Sequence, residues 1–265
     1  MKYYIYTAVK SLIMLLAAYN VFHLHASDST MVDNTISAYY SNKISVIQTE
    51  FQPFLDGLSI DECWQKAKKF TFCSDNTDQK IYLQICRNEK MLFLKIEYSI
   101  DDYRNSYQNW HWNPVIQAYE PGSEFEETLS IALQDENSQI SDIWCWRAAR
   151  TNPAGKTDDM FFNKNGKLKF DSGTLCWYSR FFGNYVGEAL PRFYIQSPSG
   201  SVCDVNASGV YNGKTLTIEF SRNLFTGNND DIQLNPAHSY RIAIIRGRIS
   251  QKTIQEIHFT KIEFQ

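Results

Sequence analysis

The sequence is poor in the residues that most catalytic and metal-binding sites need. Only three histidines follow residue 26, namely His111, His238 and His258. None of them stands in the H-E-x-x-H spacing that places two zinc ligands on one helical face. The chain has no G-x-S-x-G turn, and its cysteines and histidines form no known nucleophile signature. We therefore expect a protein that is not an enzyme.

Neither positive nor negative charge is in large excess. The 26 basic and 29 acidic residues leave a formal net charge of -3. A nucleic-acid-binding surface calls for clustered lysine and arginine, so no nucleic-acid partner is expected. With 12 glycines in the chain, no glycine-rich loop that would hold a phosphate group is present.

The chain lacks an apolar run long enough to span a membrane, which needs roughly 20 residues. A shorter apolar stretch at 12–22 follows Lys10 and ends before Ala26. This pattern predicts a signal peptide over residues 1–26 that is cleaved after Ala26. The mature protein would then be periplasmic or secreted, without a membrane span. The alternative is an uncleaved anchor formed by residues 3–22.

Cysteine spacing excludes two kinds of site. No C-x-x-C or C-x-x-C-H motif is present, so neither covalent haem attachment nor a zinc ribbon is expected. An even number of cysteines in an exported protein allows disulfides, and the sequence leaves their pairing open. The six cysteines are Cys63, Cys73, Cys86, Cys145, Cys176 and Cys203.

Apolar and aromatic residues are plentiful, and they alternate with polar ones. The composition is 43% hydrophobic and 15% aromatic. Alternation over 80–87 and 90–98 predicts half-buried strands. Asn-Gly at 165–166 and at 212–213 predicts two hairpins with type I′ turns. Ser59 and Glu62 form a capping box that predicts one short helix.

These elements predict an all-β fold, an immunoglobulin-like or jelly-roll β-sandwich with one or two short helices. We assign it to one domain, 49–265, preceded by a lead-in of weak structure at 27–48.

Two aromatic clusters are candidates for a binding site. On a strand over 142–149, Trp144 and Trp146 share one face, whereas Cys145 and Arg147 share the other. Two interpretations stay open: a core strand, or a flat aromatic wall for a planar ligand such as haem or a sugar. The second cluster is a loop in which His111 stands between two tryptophans at 110 and 112. This histidine is either a surface residue or a ligand.

The order of these motifs resembles the b-type haem-binding domain of the ethylbenzene dehydrogenase gamma-subunit family, which is related to DOMON domains and family 9 carbohydrate-binding modules. The resemblance covers roughly 51–264. The motifs that carry it lie at 54–57, 62–67, 126–132, 142–148, 151–159 and 220–231.

The resemblance implies one haem b, held non-covalently by two axial side chains. His258 stands where the second ligand is expected, and His111 is the best candidate for the first. Imidazole, thioether and thiolate groups all ligate haem iron. The other candidate ligands and the arginines that would pair with the haem propionates are Met91, Met160, Cys145, Arg147, Arg150 and Arg222.

The implied function is electron transfer by an exported protein, with a redox partner such as a molybdenum oxidoreductase complex. At most, the chain would be the electron-transfer subunit of such an enzyme. The alternative is an envelope protein without haem that binds carbohydrate, with Trp144, Trp146 or Trp110 against the sugar. A third possibility is a structural or partner-binding envelope protein without a small ligand.

Overall fold

Strands with alternating apolar side chains form two sheets that pack face to face. The computed structural model describes residues 36–38, 43–58, 60–74, 77–135, 141–162, 167–247 and 258–265. All of them belong to one compact unit, Thr35–Gln265. Thirteen strands are joined by hydrogen bonds, eleven of them along one path and two paired with it from the side. The predicted signal peptide and the cleavage position at Ala26 lie outside the described residues.

The path divides into two sheets at β2 (Ile44–Gln48), which pairs with a strand of each. The first sheet contains β1 (Ile36–Ala38), β8 (Thr128–Asp135), β9 (Ser141–Arg147), β10 (Asp158–Phe162), β11 (Leu168–Phe170), β19 (Ser239–Arg246) and β20 (Thr260–Phe264). The second sheet contains β3 (Phe70–Ser74), β4 (Thr77–Arg87), β5 (Met91–Ser99), β17 (Asn206–Tyr211) and β18 (Thr215–Asn223).

The main core lies between these sheets. Ile131, Trp144 and Ile244 of the first sheet share one buried cluster with Leu94 and Ile218 of the second. Their burial removes a large apolar area from water, which is the dominant favourable contribution to folding. The predicted all-β sandwich with short helices is confirmed. The described helices are α1 (Glu62–Lys66) and two 3₁₀ turns at Asn152–Ala154 and Ser201–Cys203.

The prediction of weak structure over 27–48 is wrong for β1 and β2. Ile44 and Val46 are fully buried, and β2 runs parallel to both β20 and β4. Its neighbours come from the end and the middle of the chain. Because the partners are so distant in sequence, local periodicity gives little indication of this strand.

Two local predictions need correction. The hairpin at Asn212 and Gly213 is confirmed by the β17–β18 pairing, but only Gly213 has a positive φ (92°). A type I′ turn needs two positive φ values, and instead the Asn212 side chain accepts the N–H groups of Lys214 and Thr215. The helix α1 has Asp61 as its N-cap, while Ser59 and the Asn165–Gly166 turn lie outside the described residues.

Seven short strands that the sequence did not predict form small sheets beside the sandwich. Because they are two to four residues long, alternation cannot identify them. The three-stranded sheet contains β6 (Trp110–Asn113), β7 (Ala118–Pro121) and β14 (Ala189–Leu190). Two pairs join β13 (Trp177–Ser179) to β15 (Phe193–Ile195) and β12 (Gly173–Thr174) to β16 (Ser199–Gly200).

None of the described helices has the length and apolar character required to cross a bilayer.

Candidate functional site

The paired indoles lie inside the sandwich. Trp144 and Trp146 have no exposed surface (0%). The indole N–H of Trp146 donates to Asn152 Oδ1 at 3.0 Å, and a Cβ atom at Gly209 would overlap the six-membered ring of Trp146. These contacts support the interpretation as a core strand. A planar ligand would have to displace packed core to reach either ring.

The face assignment on β9 is confirmed, and it places other candidates in apolar surroundings. Cys145 and Met160 are buried together on the outer face of the first sheet. Burial raises the pKa of the Cys145 thiol, so the thiolate that ligates haem is disfavoured. Met91 packs partly buried against the cluster that contains α1.

The three arginines considered for the haem propionates are each paired with carboxylates of the protein. Arg147 Nε lies 2.6 Å from Asp158 Oδ2. Arg150 Nε lies 2.5 Å from Glu126 Oε1. The fully buried Arg222 contacts two carboxylates, those of Asp142 and Asp231, at 3.0 and 3.1 Å.

The two candidate histidine ligands belong to different parts of the fold. His111 is on β6, where its Nε2 lies 2.7 Å from Glu124 Oε1 with 49% of the side chain exposed. Desolvation opposes ionisation of Glu124, but hydrogen bonding, chiefly to His111, outweighs it and lowers the pKa of Glu124. His258 is exposed and precedes β20 in the first sheet. Two strands, β19 and β8, separate β20 from the tryptophan strand β9.

A row of aromatic rings in mutual contact lies on the small sheets and on the loop between β13 and β14. We call it the aromatic row. Tyr185 contacts Trp112 at 5.3 Å between ring centroids, Trp112 contacts Tyr119 at 5.1 Å, and Tyr119 contacts Phe182 at 5.9 Å. The guanidinium of Arg180 lies over Phe182 and Tyr194, at 5.0 and 5.5 Å, and Tyr194 contacts Tyr178 at 6.0 Å.

Strand pairing sets the order of these rings. Trp112 of β6 stands opposite Tyr119 of β7, and Tyr178 of β13 stands opposite Tyr194 of β15. Directly opposed residues on neighbouring strands have their Cβ atoms about 5 Å apart, so each pair brings two rings into contact. The pairing of the strands therefore determines the spacing of the rings within each of these two pairs.

Hydrogen bonds hold the middle of the row in place. The Tyr119 hydroxyl donates to Gly187 O at 2.9 Å and accepts the N–H groups of Val186 and Gly187 at 2.9 and 3.1 Å. The backbone N–H of Trp112 donates to Glu188 O at 2.9 Å. These bonds tie the loop before β14 to the strands that carry Trp112 and Tyr119.

Polar groups and exposed apolar side chains surround the row. The Tyr185 hydroxyl donates to Glu188 Oε1 at 3.2 Å, which raises the pKa of Tyr185. Phe181 is 58% exposed and Tyr185 54% exposed. Within the described ranges, the indole N–H of Trp112 has no hydrogen-bond partner. The surface thus offers both ring faces and hydrogen-bonding groups to a ligand.

A buried ion pair joins the row to the sandwich. The Arg150 guanidinium lies 4.1 Å from the ring centroid of Tyr107, 4.9 Å from that of Trp177 and 5.2 Å from that of Phe193. Its Nε atom bonds Glu126, just before β8. Trp177 of β13 and Phe193 of β15 therefore pack against the Arg150 guanidinium, which is ion-paired with Glu126 of the sandwich.

Sequence reasoning found part of this surface. It identified the 110–112 cluster, but Trp110 is largely buried (6% exposed) and donates its indole N–H to Arg180 O. It did not identify Tyr119, Phe182 or Tyr185. The available signal was the density of aromatic residues over 177–194, where Trp, Tyr and Phe recur without strand alternation.

A comparison with protein families found one match within the chain. Residues 119–244 match the sequence model of the family described as Ethylbenzene dehydrogenase. This segment, just under half of the chain, is similar to that family. The resemblance that the motifs indicated is confirmed. A search among curated proteins found no match.

Solved structures similar to the chain include carbohydrate-binding proteins. Two are structures of a family 9 carbohydrate-binding module from Caldicellulosiruptor kristjanssonii, one with cellotriose and one with glucose. Each has 10% sequence identity, a TM-score of 0.42 and 84% coverage of this chain, with 94% and 96% of the module covered. The third, from Bacteroides uniformis ATCC 8492, is described as a candidate carbohydrate-binding protein. It has 8% identity and a TM-score of 0.46, with 84% of this chain and 99% of that protein covered.

The residues considered for haem do not fit that group in this arrangement. A porphyrin needs an open slot with an axial ligand aimed at its centre. The two indoles are fully buried among core side chains, and the arginines are paired with carboxylates. His111 lies on β6 of the three-stranded sheet, whereas His258 precedes β20 of the first sheet. We therefore derive no electron-transfer step from these side chains.

Proposed function

We propose that the protein is an exported glycan-binding protein without catalytic activity, and that the aromatic row is its binding surface. The observation that carries the proposal is the connected series of rings from Tyr185 through Trp112 to Phe182, which lies outside the sandwich core. Monomeric soluble proteins rarely expose large contiguous apolar surface unless it binds something.

The chemistry of the row suits a sugar chain. A pyranose ring has an apolar C–H face with partial positive charge, and it packs against the negative face of an aromatic ring. Its hydroxyl groups need donors and acceptors nearby. The carboxylates of Glu188 and Glu120 and the amide of Asn113 supply them, and both Glu188 and Glu120 are exposed.

The row is ordered before any ligand binds. Tyr119 makes three hydrogen bonds to the backbone, and cross-strand pairing fixes Trp112 and Tyr178. Immobilising a flexible side chain on binding costs about 0.5–1.5 kcal/mol. Rings that are already held in place avoid most of this cost. This favours binding of a polysaccharide, whose repeating units each contribute little to the affinity.

Native gels that contain soluble polysaccharides test the proposal. We expect at least one polysaccharide to retard the protein, and Trp112→Ala to weaken the retardation at least about tenfold, equivalent to about 1.4 kcal/mol. Phe54→Ala is the matched control, because Phe54 is 77% exposed and lies outside the row. Equal losses in both variants, or no retardation by any polysaccharide, would contradict the proposal.

The family match favours a second candidate, namely electron transfer by a non-covalently bound haem b. A redox partner such as a molybdenum oxidoreductase complex belongs to this candidate. It requires at least one axial ligand other than His111 and His258, because these two histidines belong to different parts of the fold. The absorption spectrum of the purified protein with added haem distinguishes the two candidates.

Export is part of both candidates. It rests on the charged and apolar pattern of residues 1–26. The intact mass of the protein recovered from the periplasm or the medium tests it. A mass that lacks residues 1–26 is expected, and a mass that retains them would contradict cleavage after Ala26.

A further inference from the structure

The rim of the sandwich holds a dense group of carboxylates. Asp142, Asp159 and Asp231 each place one oxygen within 4.8 Å of the others, and Asp171, Asp230 and Asp231 form a second such group. Asp142 and Asp159 lie on β9 and β10, and Asp231 follows β18 of the other sheet. The cluster therefore joins both sheets.

One oxygen of Asp230 and one of Asp231 accept hydrogen bonds, and Asp231 Oδ1 lies 3.1 Å from Arg222 Nη2. Asp230 Oδ2 accepts Ser172 N at 3.2 Å and Ser201 Oγ at 3.1 Å. Asp231 Oδ2 accepts Thr226 Oγ1 at 2.5 Å and Asn228 Nδ2 at 3.0 Å. Both oxygens of Asp171, which is only 6% exposed, are buried without a hydrogen-bond partner. An unpaired buried carboxylate is costly unless a cation compensates it.

Within the residues that the structure describes, the basic side chain that reaches these carboxylates leaves Asp171 and Asp230 without a counter-charge. In the described part of the chain, Arg222 is the only basic residue that ion-pairs with the cluster, and it contacts Asp142 and Asp231. Asp171 and Asp230 have no such partner there. Burial, followed by the charges of Asp230 and other neighbouring carboxylates, raises the pKa of Asp171 to about 8.

We propose that Asp171, Asp230 and Asp231 bind a calcium ion. Carboxylate oxygens are the ligands that calcium prefers, and its flexible geometry accepts six to eight of them. The second oxygens of Asp230 and Asp231 are hydrogen-bonded, which orients a ligating carboxylate in known metal sites. Magnesium binds less well, because it demands near-octahedral geometry and loses water reluctantly.

The ion would hold together parts of the fold that no sheet joins directly. Asp171 follows β11 and starts the segment that carries β13, β14 and β15. Asp230 bonds to both Ser172 and Ser201, near the two ends of that segment. Calcium is therefore expected to stabilise the folded state, whether or not the aromatic row binds a glycan.

Calorimetric titration of the full, chelator-treated protein with calcium chloride tests the site. We expect saturable calcium binding and a rise in Tm of about 5 °C at saturating calcium, with a smaller rise in magnesium chloride. In Asp171→Asn, calcium binding should weaken at least tenfold and the rise in Tm should disappear. The control Asp101→Asn removes an exposed carboxylate outside the cluster and should behave as the unaltered protein.

The Asp171→Asn variant also distinguishes calcium ligation by Asp171 from a structural role of that side chain in the calcium-free fold. Asp171→Asn removes one of the mutually repelling carboxylates, so without calcium its Tm should equal or exceed that of the unaltered protein. A variant that lost stability without calcium but kept its calcium-dependent rise would overturn the proposal. Absence of calcium binding by the unaltered protein would overturn it as well.

Discussion

At the scale of single residues, Trp146 is held by contacts from the turn after its own strand and from one distant strand. Asn152 Oδ1 accepts the indole N–H at 3.0 Å and also the Gly209 N–H at 2.7 Å. The Asn152 amide donates back to Gly209 O at 3.1 Å. The indole lies so close to Gly209 that no other residue fits there without displacement.

Gly209→Ala should therefore destabilise the protein by about 1–3 kcal/mol, the usual cost of overpacking a dense core. Urea unfolding followed by tryptophan fluorescence measures the change. Gly183→Ala is the matched control, because a Cβ atom there meets nothing within 4 Å. An equal effect at both glycines would mean that the Trp146 contact does not limit stability.

The same residues show what sequence reasoning could determine. Alternation along β9 placed Trp144 and Trp146 on one face, and this is confirmed. Whether that face was core or ligand surface depended on Gly209, which lies far along the chain. A local pattern contains no information about which distant strand covers it.

At the scale of elements, two pairs of buried cysteines connect elements that are separate in sequence. Cys63 of α1 contacts Cys86 of β4, and this contact, with burial, raises the pKa of Cys86. Cys176 contacts Cys203 in the same way, beside β13 and in the second 3₁₀ turn. The sequence left the pairing open, and the fold brings these two pairs together.

We expect both pairs to form disulfides in the exported protein. Each pair would lose two protons and two electrons to a disulfide of an oxidant in the export compartment, and that disulfide would be reduced to two thiols. Intact mass with and without reductant should show two bridges, and thiol labelling in denaturant, which exposes the buried Cys145, should find only Cys73 and Cys145 free. Cys73→Ser should leave both bridges intact, whereas labelling of Cys86 or Cys203 in unreduced protein would contradict the pairing.

Element length explains which strands could be predicted. The pair β4 and β5, of eleven and nine residues, shows clear alternation, and both strands were predicted. The strands of the small sheets have two to four residues, too few for a period to be visible. The aromatic row lies on these strands and on the loop between β13 and β14, so the candidate site was the hardest part to predict.

At the scale of the whole molecule, the similarity to a family and the geometry of the site favour different functions. The segment that matches the family, 119–244, includes the buried indoles of Trp144 and Trp146, the arginines paired with carboxylates, and much of the aromatic row. A shared sandwich does not specify the ligand, because function depends on the site that a fold carries. In this chain the space between the sheets is filled by side chains, and the exposed rings lie outside it.

We therefore expect that purified protein mixed with haem shows no sharp Soret band and no red-shifted α and β bands on reduction. The physical reason is that a porphyrin would have to displace Trp144 and Trp146, whose burial stabilises the core by several kcal/mol, about 3–5 for each side chain. Unfolding curves recorded with and without haem should coincide. A b-type spectrum that disappears in His258→Ala and persists in Trp112→Ala would reverse this assignment and favour the electron-transfer candidate, since only an axial ligand near β20 gives that combination.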